Sequence, residues 1–575
     1  MKNKISAIAD TNSSAGVGGP LRLWPGILLS VVMIPVRYLL PVLAPRATII
    51  GIFGGILLSL GIFIWWFFFS RASKAEKWGA FIVIVISLTI TSFLLDKSIA
   101  TANMGMMYIM FSIPVLGVAF VVWAFLTRNM PTGIRRISMA LTIIFAAGFW
   151  IFLRTDGMTG DSNHNLNWRW AKTSEDNTLI QTARESLTGT PGPDLANSEA
   201  EWPGFRGKNR DGVVHGLKIN ADWKANPPVE LWRRPVGPGC SSAAILGNLI
   251  YTQEQLGDYE TVSCYDLSSG KPVWRHKDKA RFYDSHAGAG PRATPELANG
   301  RVYTMGATGI LNAINALDGT LIWTRNAAEE TGIEIPAWGI CGSPVVTGNA
   351  VIVSLAGTLA AYDSETGKPL WTADNGGQAY TSPHLVTICN VPQVLMINEP
   401  GIQGIDLATG KSLWTYSWFL KDRVLQPVPT GDNELLINEE YKNVRKIKIT
   451  NDASGWRTDE VWTSSEIRTL FNDFVIHKGY AYGFDGPSMA CIDLSDGSRK
   501  WRGARYRGFQ LLLADQDLIL VLSEKGELAL VSADPGKFTE LSKIPVLKGK
   551  TWNHPAIKGN IVIVRNSEEM AAYRL

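Results

Sequence analysis

The 575-residue sequence predicts an N-terminal all-α transmembrane bundle of about five helices, followed by an all-β propeller of eight four-stranded blades. Two observations carry this prediction. The first 153 residues are strongly apolar, whereas the rest of the chain is more polar and rich in Gly, Pro and Trp. In that second part, the motif A-Y-D-S-E-T-G-K-P-L-W at 361–371 recurs in variant forms. Its period of roughly 45 residues is that of a propeller blade.

A polar segment, 1–20, precedes five apolar stretches, near 23–43, 48–69, 78–95, 105–126 and 137–153. Each is close to the roughly 20 residues that a helix needs to cross the hydrocarbon of a bilayer. The sequence therefore predicts a polar cytoplasmic tail at 1–20 and a five-helix transmembrane domain at 21–153.

The distribution of Lys and Arg predicts the orientation of these spans. Basic residues cluster before span one and in alternate loops, at Lys2, Lys4, Arg22, Arg71, Lys74, Lys77, Arg128, Arg135 and Arg136. The intervening loops carry fewer, namely Arg46, Lys97 and Arg154. By the positive-inside rule, the protein is a multi-pass inner (cytoplasmic) membrane protein with a cytoplasmic N-terminus and a periplasmic or otherwise extracytoplasmic propeller.

One charged residue, Arg37, lies inside the first span between Pro35 and Pro41. A charge in hydrocarbon is costly, and such residues are paired or functional. Since Arg37 and Asp96 both fall toward the outer side, we hypothesise that they pair or that Arg37 extends outward to the interface. The alternative is a site for a lipid head group or a quinone.

Between the two domains, 154–200 is a polar linker. Residues 174–187 are compatible with a short helix, and T-P-G-P-D at 190–194 predicts a flexible joint. The propeller is then expected to occupy 201–575.

The recurring motif has a direct structural interpretation. Alternating residues make a strand, the Asp-x-x-Thr/Ser/Asp-Gly part makes a tight turn that needs a positive φ, and a second strand ends in Trp. A second pattern, such as A-T-P-E-L-A-N-G-R-V-Y-T at 293–304, adds two more strands. Four antiparallel strands per unit make a blade. The Trp residues at the ends of the motif copies are Trp274, Trp323, Trp371, Trp414, Trp462 and Trp501.

Eight units are counted, starting at Ser241, Thr294, Ser343, Ser382, Pro427, Phe471, Leu511 and Asn553. The last unit has no Trp-bearing strand, and V-E-L-W-R-R-P-V at 229–236 supplies one. We therefore predict that Trp232 closes the ring and that all seven tryptophans pack between blades. Seven blades are possible, but each would then need about 50 residues.

The turn-plus-Trp unit resembles the PQQ-binding-like (quinoprotein-type) repeat, which is found in PQQ-dependent dehydrogenases and in BamB-like scaffold propellers. The segments W-P-G-F-R-G-K-N-R-D-G-V at 202–213 and G-K-T-W-N-H-P at 549–555 share this resemblance, which covers roughly 200–575. The resemblance implies the fold and not an activity, because the repeated residues build the blades.

Loops that lead into the innermost strands ring one mouth of a propeller channel. Aromatic and Arg side chains that converge there are suited to a planar or anionic ligand. The alternative is that they are solvated loop charges and packing aromatics. The candidate residues are His286, Arg292, Trp338, Tyr380, Arg423, Arg468, Trp552 and His554.

No H-E-x-x-H, C-x-x-C or G-x-S-x-G motif occurs, so we assign no catalytic residue and no metal ligand. With a net charge of +4 and no long basic run, nucleic acid is not an expected partner. We predict a non-catalytic binding or scaffold domain without a cofactor, anchored in the lipid bilayer, for envelope proteins, peptides or polymers. The alternative implied by the resemblance is a PQQ-dependent dehydrogenase that uses PQQ and calcium and reduces membrane quinone, because membrane glucose dehydrogenases share the plan of five spans and a propeller.

Overall fold

The structure is a computed structural model that describes residues 21–44, 47–160, 164–189, 198–374, 376–418, 423–431, 433–439, 442–469 and 471–575. The predicted tail at 1–20, Arg46 and the joint at 190–194 lie outside these residues. The chain divides into two compact units, Met1–Ala171 and Lys172–Leu575.

In the described part of the first unit, the five predicted spans are confirmed as helices of sufficient length and apolarity to cross a membrane. A short helix, Lys97–Thr101, follows the third of them, and a hairpin of Leu153–Met158 with His164–Trp168 follows the fifth. The five long helices are Trp24–Leu43, Thr48–Phe69, Lys74–Leu94, Met107–Leu126 and Thr132–Phe152.

Aromatic side chains form the centre of this helical unit. Trp66 is 1% exposed, and its ring meets Phe120 and Trp123 edge-on at centroid distances of 4.8 and 5.8 Å. The buried carboxylate of Glu76, in the first turn of the third helix, accepts a hydrogen bond of 2.6 Å from the Arg135 guanidinium. The negative charge of Glu76 is therefore neutralised by an arginine of a neighbouring helix.

The hypothesis that Arg37 pairs with Asp96 is wrong. The Asp96 side chain caps the helix Lys97–Thr101 through the Ser98 N–H and lies 3.4 Å from Arg169, so it is not available to Arg37. Arg37 is also only 7% exposed, so its side chain packs within the helical unit.

The segment that precedes the blades is attached to the second unit over its first part. Helix Ser174–Thr182 begins at a capping box formed by Thr173 and Asp176. The carboxylate of Glu185 then accepts hydrogen bonds from Arg234 and Arg275 at 2.8 and 2.6 Å. These contacts hold the predicted short helix against the propeller.

The second unit is an eight-bladed propeller, and each blade has four antiparallel strands ordered from the channel outward. Blades 1 to 4 follow in chain order. Their strands are Ala244–Leu246, Leu249–Leu256, Tyr259–Asp266 and Pro272–Asp278 in blade 1; Glu296–Ala298, Arg301–Met305, Ile310–Asn315 and Leu321–Asn326 in blade 2; Val345–Thr347, Ala350–Leu355, Thr358–Asp363 and Pro369–Thr372 in blade 3; His384–Ile388, Val391–Asn398, Gly401–Asp406 and Ser412–Ser417 in blade 4.

Blades 5 to 8 complete the ring, and blade 7 gains a short fifth strand, Val213–Val214, that pairs in parallel with its innermost strand. The strands are Val428–Gly431, Glu434–Glu439, Asn443–Asp452 and Gly455–Ser464 in blade 5; Val475–His477, Tyr480–Asp485, Ser488–Asp493 and Arg499–Arg505 in blade 6; Phe509–Leu513, Leu518–Leu522, Glu527–Ser532 and Glu540–Pro545 in blade 7; Ala556–Lys558, Ile561–Arg565, Glu569–Arg574 and Val229–Pro235 in blade 8.

Ring closure occurs in blade 8, where Val229–Pro235 pairs antiparallel with Glu569–Arg574 and places Trp232 opposite Ala572. This confirms the predicted eight blades and the predicted source of the last strand. It also excludes the seven-bladed alternative.

The motif tryptophans join neighbouring blades through the motif turns. The Trp371 indole N–H donates to the carbonyl of Leu407 in blade 4 at 3.0 Å. Its ring lies against Gly410, where a Cβ atom would come within 2.4 Å of it. The glycine is thus required by its φ of +71° and by the ring beside it. Equivalent bonds join Trp232 to Leu267, Trp274 to Ala316, Trp323 to Ser364, Trp462 to Leu494 and Trp501 to Asp534.

Trp414 is different. Its indole N–H donates at 2.6 Å to the side-chain oxygen of Gln393, which lies in the same blade. In the following blade, the third and fourth strands continue to a turn between Asp452 and Gly455 and form a long hairpin. No motif turn is therefore placed to receive the Trp414 indole.

Candidate functional site

Three aromatic side chains from loops that enter blades 3, 4 and 6 meet across the channel mouth. The Trp338 ring lies 4.7 Å from the Tyr380 ring at 33° and 5.9 Å from the Phe471 ring at 83°. His286, from the loop that enters blade 2, approaches Trp338 at 6.3 Å. We call Trp338, Tyr380 and Phe471 the aromatic cluster. Phe471 is 40% exposed, so the cluster presents an aromatic surface to solvent.

Arg292 lies buried beneath this surface. Its guanidinium donates to the Asp284 carboxylate at 2.5 Å and to the Gly288 carbonyl at 2.7 Å. Because Asp284 also accepts from the backbone N–H of His286, Arg292 fixes the loop that carries the histidine. Arg292 therefore supports the mouth and does not face a ligand.

Trp552 lies on the blade 8 side of the mouth. Its indole N–H donates to the Glu524 carboxylate at 2.8 Å. The Lys550 ammonium lies 4.1 Å above the Trp552 ring and donates at 2.7 Å to the His286 carbonyl. Burial lowers the pKa of Lys550. The loops that enter blades 2 and 8 are thus joined at the mouth.

The two remaining arginines predicted at the mouth have different positions. Arg423 is buried, and its guanidinium donates to the Gln378 carbonyl at 2.5 Å. Its own carbonyl accepts from the Tyr380 N–H at 2.8 Å, so Arg423 positions a member of the aromatic cluster. Arg468 is exposed and its backbone binds the turn at Asp485, outside the cluster.

Residues 202–213, which we call the channel segment, cross the channel. Trp202 forms a bridge to Ile245 in blade 1, and the segment leaves where Val213 pairs with Leu512 in blade 7. The carboxylate of Glu201, the residue before this segment, accepts a hydrogen bond from the Gly247 N–H, which lies in the turn between the first and second strands of blade 1. That turn is at the opposite end of the strand from the mouth loops, so the chain enters the channel from its far end.

Two arginines of the channel segment point into the ring. Arg210 is 4% exposed and donates to the carbonyls of Pro344 and Ser343, at 2.7 and 3.0 Å, where blade 3 begins. It also forms an ion pair of 3.3 Å with Glu296 in blade 2. Arg206 is 2% exposed and donates to the Phe474 carbonyl, at 2.6 Å, where blade 6 begins. The channel segment thus binds residues of blade 2 and the positions just before the first strands of blades 3 and 6.

His554 is largely buried and contacts the channel segment at Phe205. Its Nε2–H donates to the Asp473 carboxylate at 3.1 Å, and its ring lies between Phe509 and Phe205 at centroid distances of 3.9 and 4.9 Å. Burial would raise the pKa of Asp473, but Arg206 at 3.7 Å and His554 hold it below its ordinary value. Asp473 is therefore an ionised, internally paired carboxylate.

A calcium and PQQ site, which the dehydrogenase alternative requires, would need free oxygen ligands near the mouth. Calcium takes six to eight oxygen ligands. Three acidic groups near the mouth, Asp284, Asp473 and Glu524, are bonded to Arg292, Arg206 and Trp552 respectively. Nowhere in the described ranges do three or more His, Cys, Asp or Glu residues form a group that could hold a metal ion. Burial also raises the pKa of the Cys341 thiol to about 12, so this thiol stays protonated.

Sequence reasoning missed two parts of this site. It identified Phe471 only as the start of a blade, and it identified 202–213 only as a family-like segment. The available signal in 202–213 was that its two arginines, four residues apart, have no counterpart in the repeats.

An eight-bladed ring, joined by Trp residues that dock on Asp-x-x-x-Gly turns, defines this protein as a propeller of quinoprotein-like repeats. The sequence profile described as outer membrane protein assembly factor BamB matches residues 222–337 and 333–540, which is more than half of the chain. The chain belongs to this family.

Individual relatives align over shorter lengths. The outer membrane protein assembly factor BamB of Shewanella oneidensis is 32% identical over 115 residues, which are 19% of this chain and 27% of that protein. The quinohemoprotein alcohol dehydrogenase ADH-IIG of Pseudomonas putida is 29% identical over 157 residues, or 25% of this chain and 21% of that protein. The chain thus spans less than a third of either relative. The crystal structure of BamB from Moraxella catarrhalis matches with a TM-score of 0.45 and 16% identity, over 60% of this chain and 98% of that one.

Proposed function

We propose that this protein is a non-catalytic scaffold of the cell envelope that binds another protein at the aromatic cluster. In this proposal, the five apolar helices anchor it in the inner membrane with a cytoplasmic N-terminus, as the Lys and Arg distribution favours. The propeller then faces the periplasm. The Shewanella oneidensis relative is named as an assembly factor for outer membrane proteins, and this name supports a protein partner.

The observation that carries the proposal is the contrast between the mouth and the groups beneath it. Trp338, Tyr380 and Phe471 meet at an open surface, whereas the buried charges below them are bonded within the propeller. Aromatic side chains dominate the energetic centres of protein interfaces. An exposed aromatic surface above internally paired charges suits an apolar or aromatic side chain of a partner protein better than a cofactor that needs free polar ligands.

Site-specific photocrosslinking of the full-length protein in cells tests this proposal. A benzoylphenylalanine placed at Phe471 is expected to crosslink one envelope protein. The matched control places it at Leu541, which is 38% exposed on the outer strand of blade 7. The crosslink from position 471 should weaken at least about tenfold when Trp338 and Tyr380 are both replaced by Ala, as for the loss of a hot spot. Equal crosslinking from both positions would contradict the proposal.

The second candidate function is a PQQ-dependent dehydrogenase, which the similarity to a quinohemoprotein alcohol dehydrogenase favours. Purified full-length protein is titrated with PQQ in the presence of calcium and followed by cofactor absorbance. Dye reduction with alcohols or sugars is then measured. Saturable PQQ binding with turnover would replace the scaffold proposal with this one.

A further inference from the structure

The first two helices are shaped around the side chain of Arg37. The first helix widens over Pro35–Leu39, where the Leu40 N–H bonds to the Pro35 carbonyl five residues before it. On the second helix, a Cβ atom at Gly55 would lie 2.8 Å from the Arg37 Cδ. Widened turns of this kind concentrate at functional sites in helices, and small residues let helices approach closely.

The Arg37 guanidinium has no counter-charge among the described residues. The residue is 7% exposed, and its Nε is buried without a hydrogen-bond partner. The other buried charge of the helical unit within these ranges, Glu76, is paired with Arg135 at 2.6 Å. The carboxylate of Asp96 is likewise held by Arg169. The contrast marks Arg37 as the buried charge whose partner comes from outside the described chain.

Aromatic rings surround Arg37 but do not satisfy its donors. The guanidinium carbon lies 4.6 Å from the Phe111 ring centre and 5.4 Å from that of Tyr38. Phe111 is held in turn by Trp150 and His164, whose rings approach at 6.2 and 5.5 Å. Ring faces attract a cation, but a guanidinium also carries five N–H donors and stays charged in a protein. An acceptor with negative charge is still required.

The position of Arg37 along the first helix indicates which molecule can supply that acceptor. The residue lies six positions before the helix end at Leu43, which corresponds to about 9 Å along the axis. The 20-residue helix is about 30 Å long, as is the hydrocarbon core, so the Cα of Arg37 lies inside the hydrocarbon in the half of the span nearer Leu43, from which a long arginine side chain reaches toward the head groups. Arg is suited to phosphate because its planar fork binds two oxygens at once.

We propose that Arg37 binds the phosphate of an anionic glycerophospholipid where the first helix meets the second and fourth helices, at Gly55 and Phe111. The phosphodiester supplies the charge and the acceptors that the surrounding helices lack. Lipids without net negative charge are disfavoured, because their head groups would bring a second cation toward a site that contains one already.

Native mass spectrometry of the full-length protein in detergent tests this inference. Wild-type protein titrated with phosphatidylglycerol should retain one lipid at high activation energy. Replacing Arg37 by Met should weaken that binding about tenfold or more, since the bidentate charged bonds are lost. The matched control is Arg128→Gln, because Arg128 also lies 4.5 Å from a phenylalanine ring, that of Phe125, but is exposed. This control should bind like the wild type.

Four outcomes would overturn the inference. The first is that Arg37→Met retains phosphatidylglycerol as well as the wild type does. The second and third are that the wild type retains phosphatidylcholine, or oleate, as well as it retains phosphatidylglycerol. The fourth is that inorganic phosphate alone stabilises the wild type as much as phosphatidylglycerol does. The last two would assign the site to a carboxylate or to a soluble ion. If Arg37→Met does not fold, Arg37→Lys is measured in its place. This variant keeps the charge without the fork, and unchanged lipid affinity would again overturn the inference.

Discussion

The perimeter and the axis of the propeller are held together by different kinds of contact. At the perimeter, one arrangement recurs between blades, in which a Trp such as Trp371 docks on the turn glycine of the next blade, Gly410. On the axis, Arg206 and Arg210 come from a segment that occurs once and bind the carbonyls where blades 6 and 3 begin. The loss of a perimeter contact should therefore loosen one blade interface, whereas the loss of an axial contact should loosen several.

The largest expected effect tests the axis. Arg206→Ala leaves the Asp473 carboxylate buried without its cation and removes the bond to the Phe474 carbonyl. Breaking a buried pair in this way costs about 3–5 kcal/mol. Hydrogen-exchange mass spectrometry on the full-length protein should show faster exchange in blades 6 and 8 together, since His554 of the blade 8 loop shares the same carboxylate.

The control for this substitution is Lys208→Ala in the same segment, because Lys208 is 73% exposed and pairs with the exposed Glu199. Exchange should then stay at the wild-type rate. The Arg206 effect should also depend on pH. Since Arg206 depresses the pKa of Asp473, its stabilisation is present above the unfolded pKa of about 4 and is lost as pH falls through the folded pKa. An effect that grows on acidification would contradict this ion pair.

The next effect tests the perimeter. Trp371→Ala removes a partly buried ring and its bond to Leu407, which should cost about 3 kcal/mol, the low end for a Trp truncation. Exchange should increase at the interface of blades 3 and 4 and stay unchanged in blades 6 to 8. An increase around the whole ring would remove the distinction between perimeter and axis.

A smaller effect separates the two roles of the motif glycine. Gly410→Ala adds a methyl group within 2.4 Å of the Trp371 ring at a φ of +71°, so strain and overpacking combine to about 2–3 kcal/mol. Gly559→Ala is the matched control, because its φ is +51° and nothing lies within 4 Å of the added atom. The control should lose only about 1 kcal/mol. Equal losses in thermal unfolding would mean that the Trp ring does not constrain the turn.

The smallest effect concerns the indole N–H alone. Trp371→Phe and Trp414→Phe each remove one hydrogen bond, worth about 1 kcal/mol, together with part of the indole ring, so the two variants are compared by where exchange changes. The Trp371 bond crosses to blade 4, whereas the Trp414 bond stays inside its blade at Gln393. Faster exchange should therefore appear in the turn at Leu407 for Trp371→Phe and inside blade 4 for Trp414→Phe. Increased exchange confined to blade 5 for the second variant would contradict this assignment of the Trp414 bond, although the Trp414 ring itself packs with residues of blade 5.

The recurrence of the blade motif explains which features of the fold could be predicted from the sequence alone. The period predicted eight blades, and the unpaired last unit led to Val229–Pro235 as its missing strand. The changed partner of Trp414 could not be predicted, because it depends on the long hairpin of the next blade. Loop position predicted residues of the mouth, including Trp338 and Tyr380.

Contacts between residues that are distant in sequence could not be predicted in this way. The role of Arg206 depends on Phe474, 268 residues further along the chain. The hypothesis for Arg37 failed because Asp96 caps the helix that follows it, and such a choice between local and distant partners is decided only by the folded structure.

Ring closure also sets an order on how the propeller can form. The Arg233 guanidinium donates to the Tyr573 hydroxyl, 340 residues later in the chain, within the sheet that completes blade 8. During synthesis, Val229–Pro235 emerges before its partner strand exists, and its edge stays unpaired until Glu569–Arg574 has been made. Such long-range pairing is slow, and an open strand edge invites pairing with other chains. Until blade 8 is completed, this edge is therefore a point at which the nascent propeller is open to misassembly.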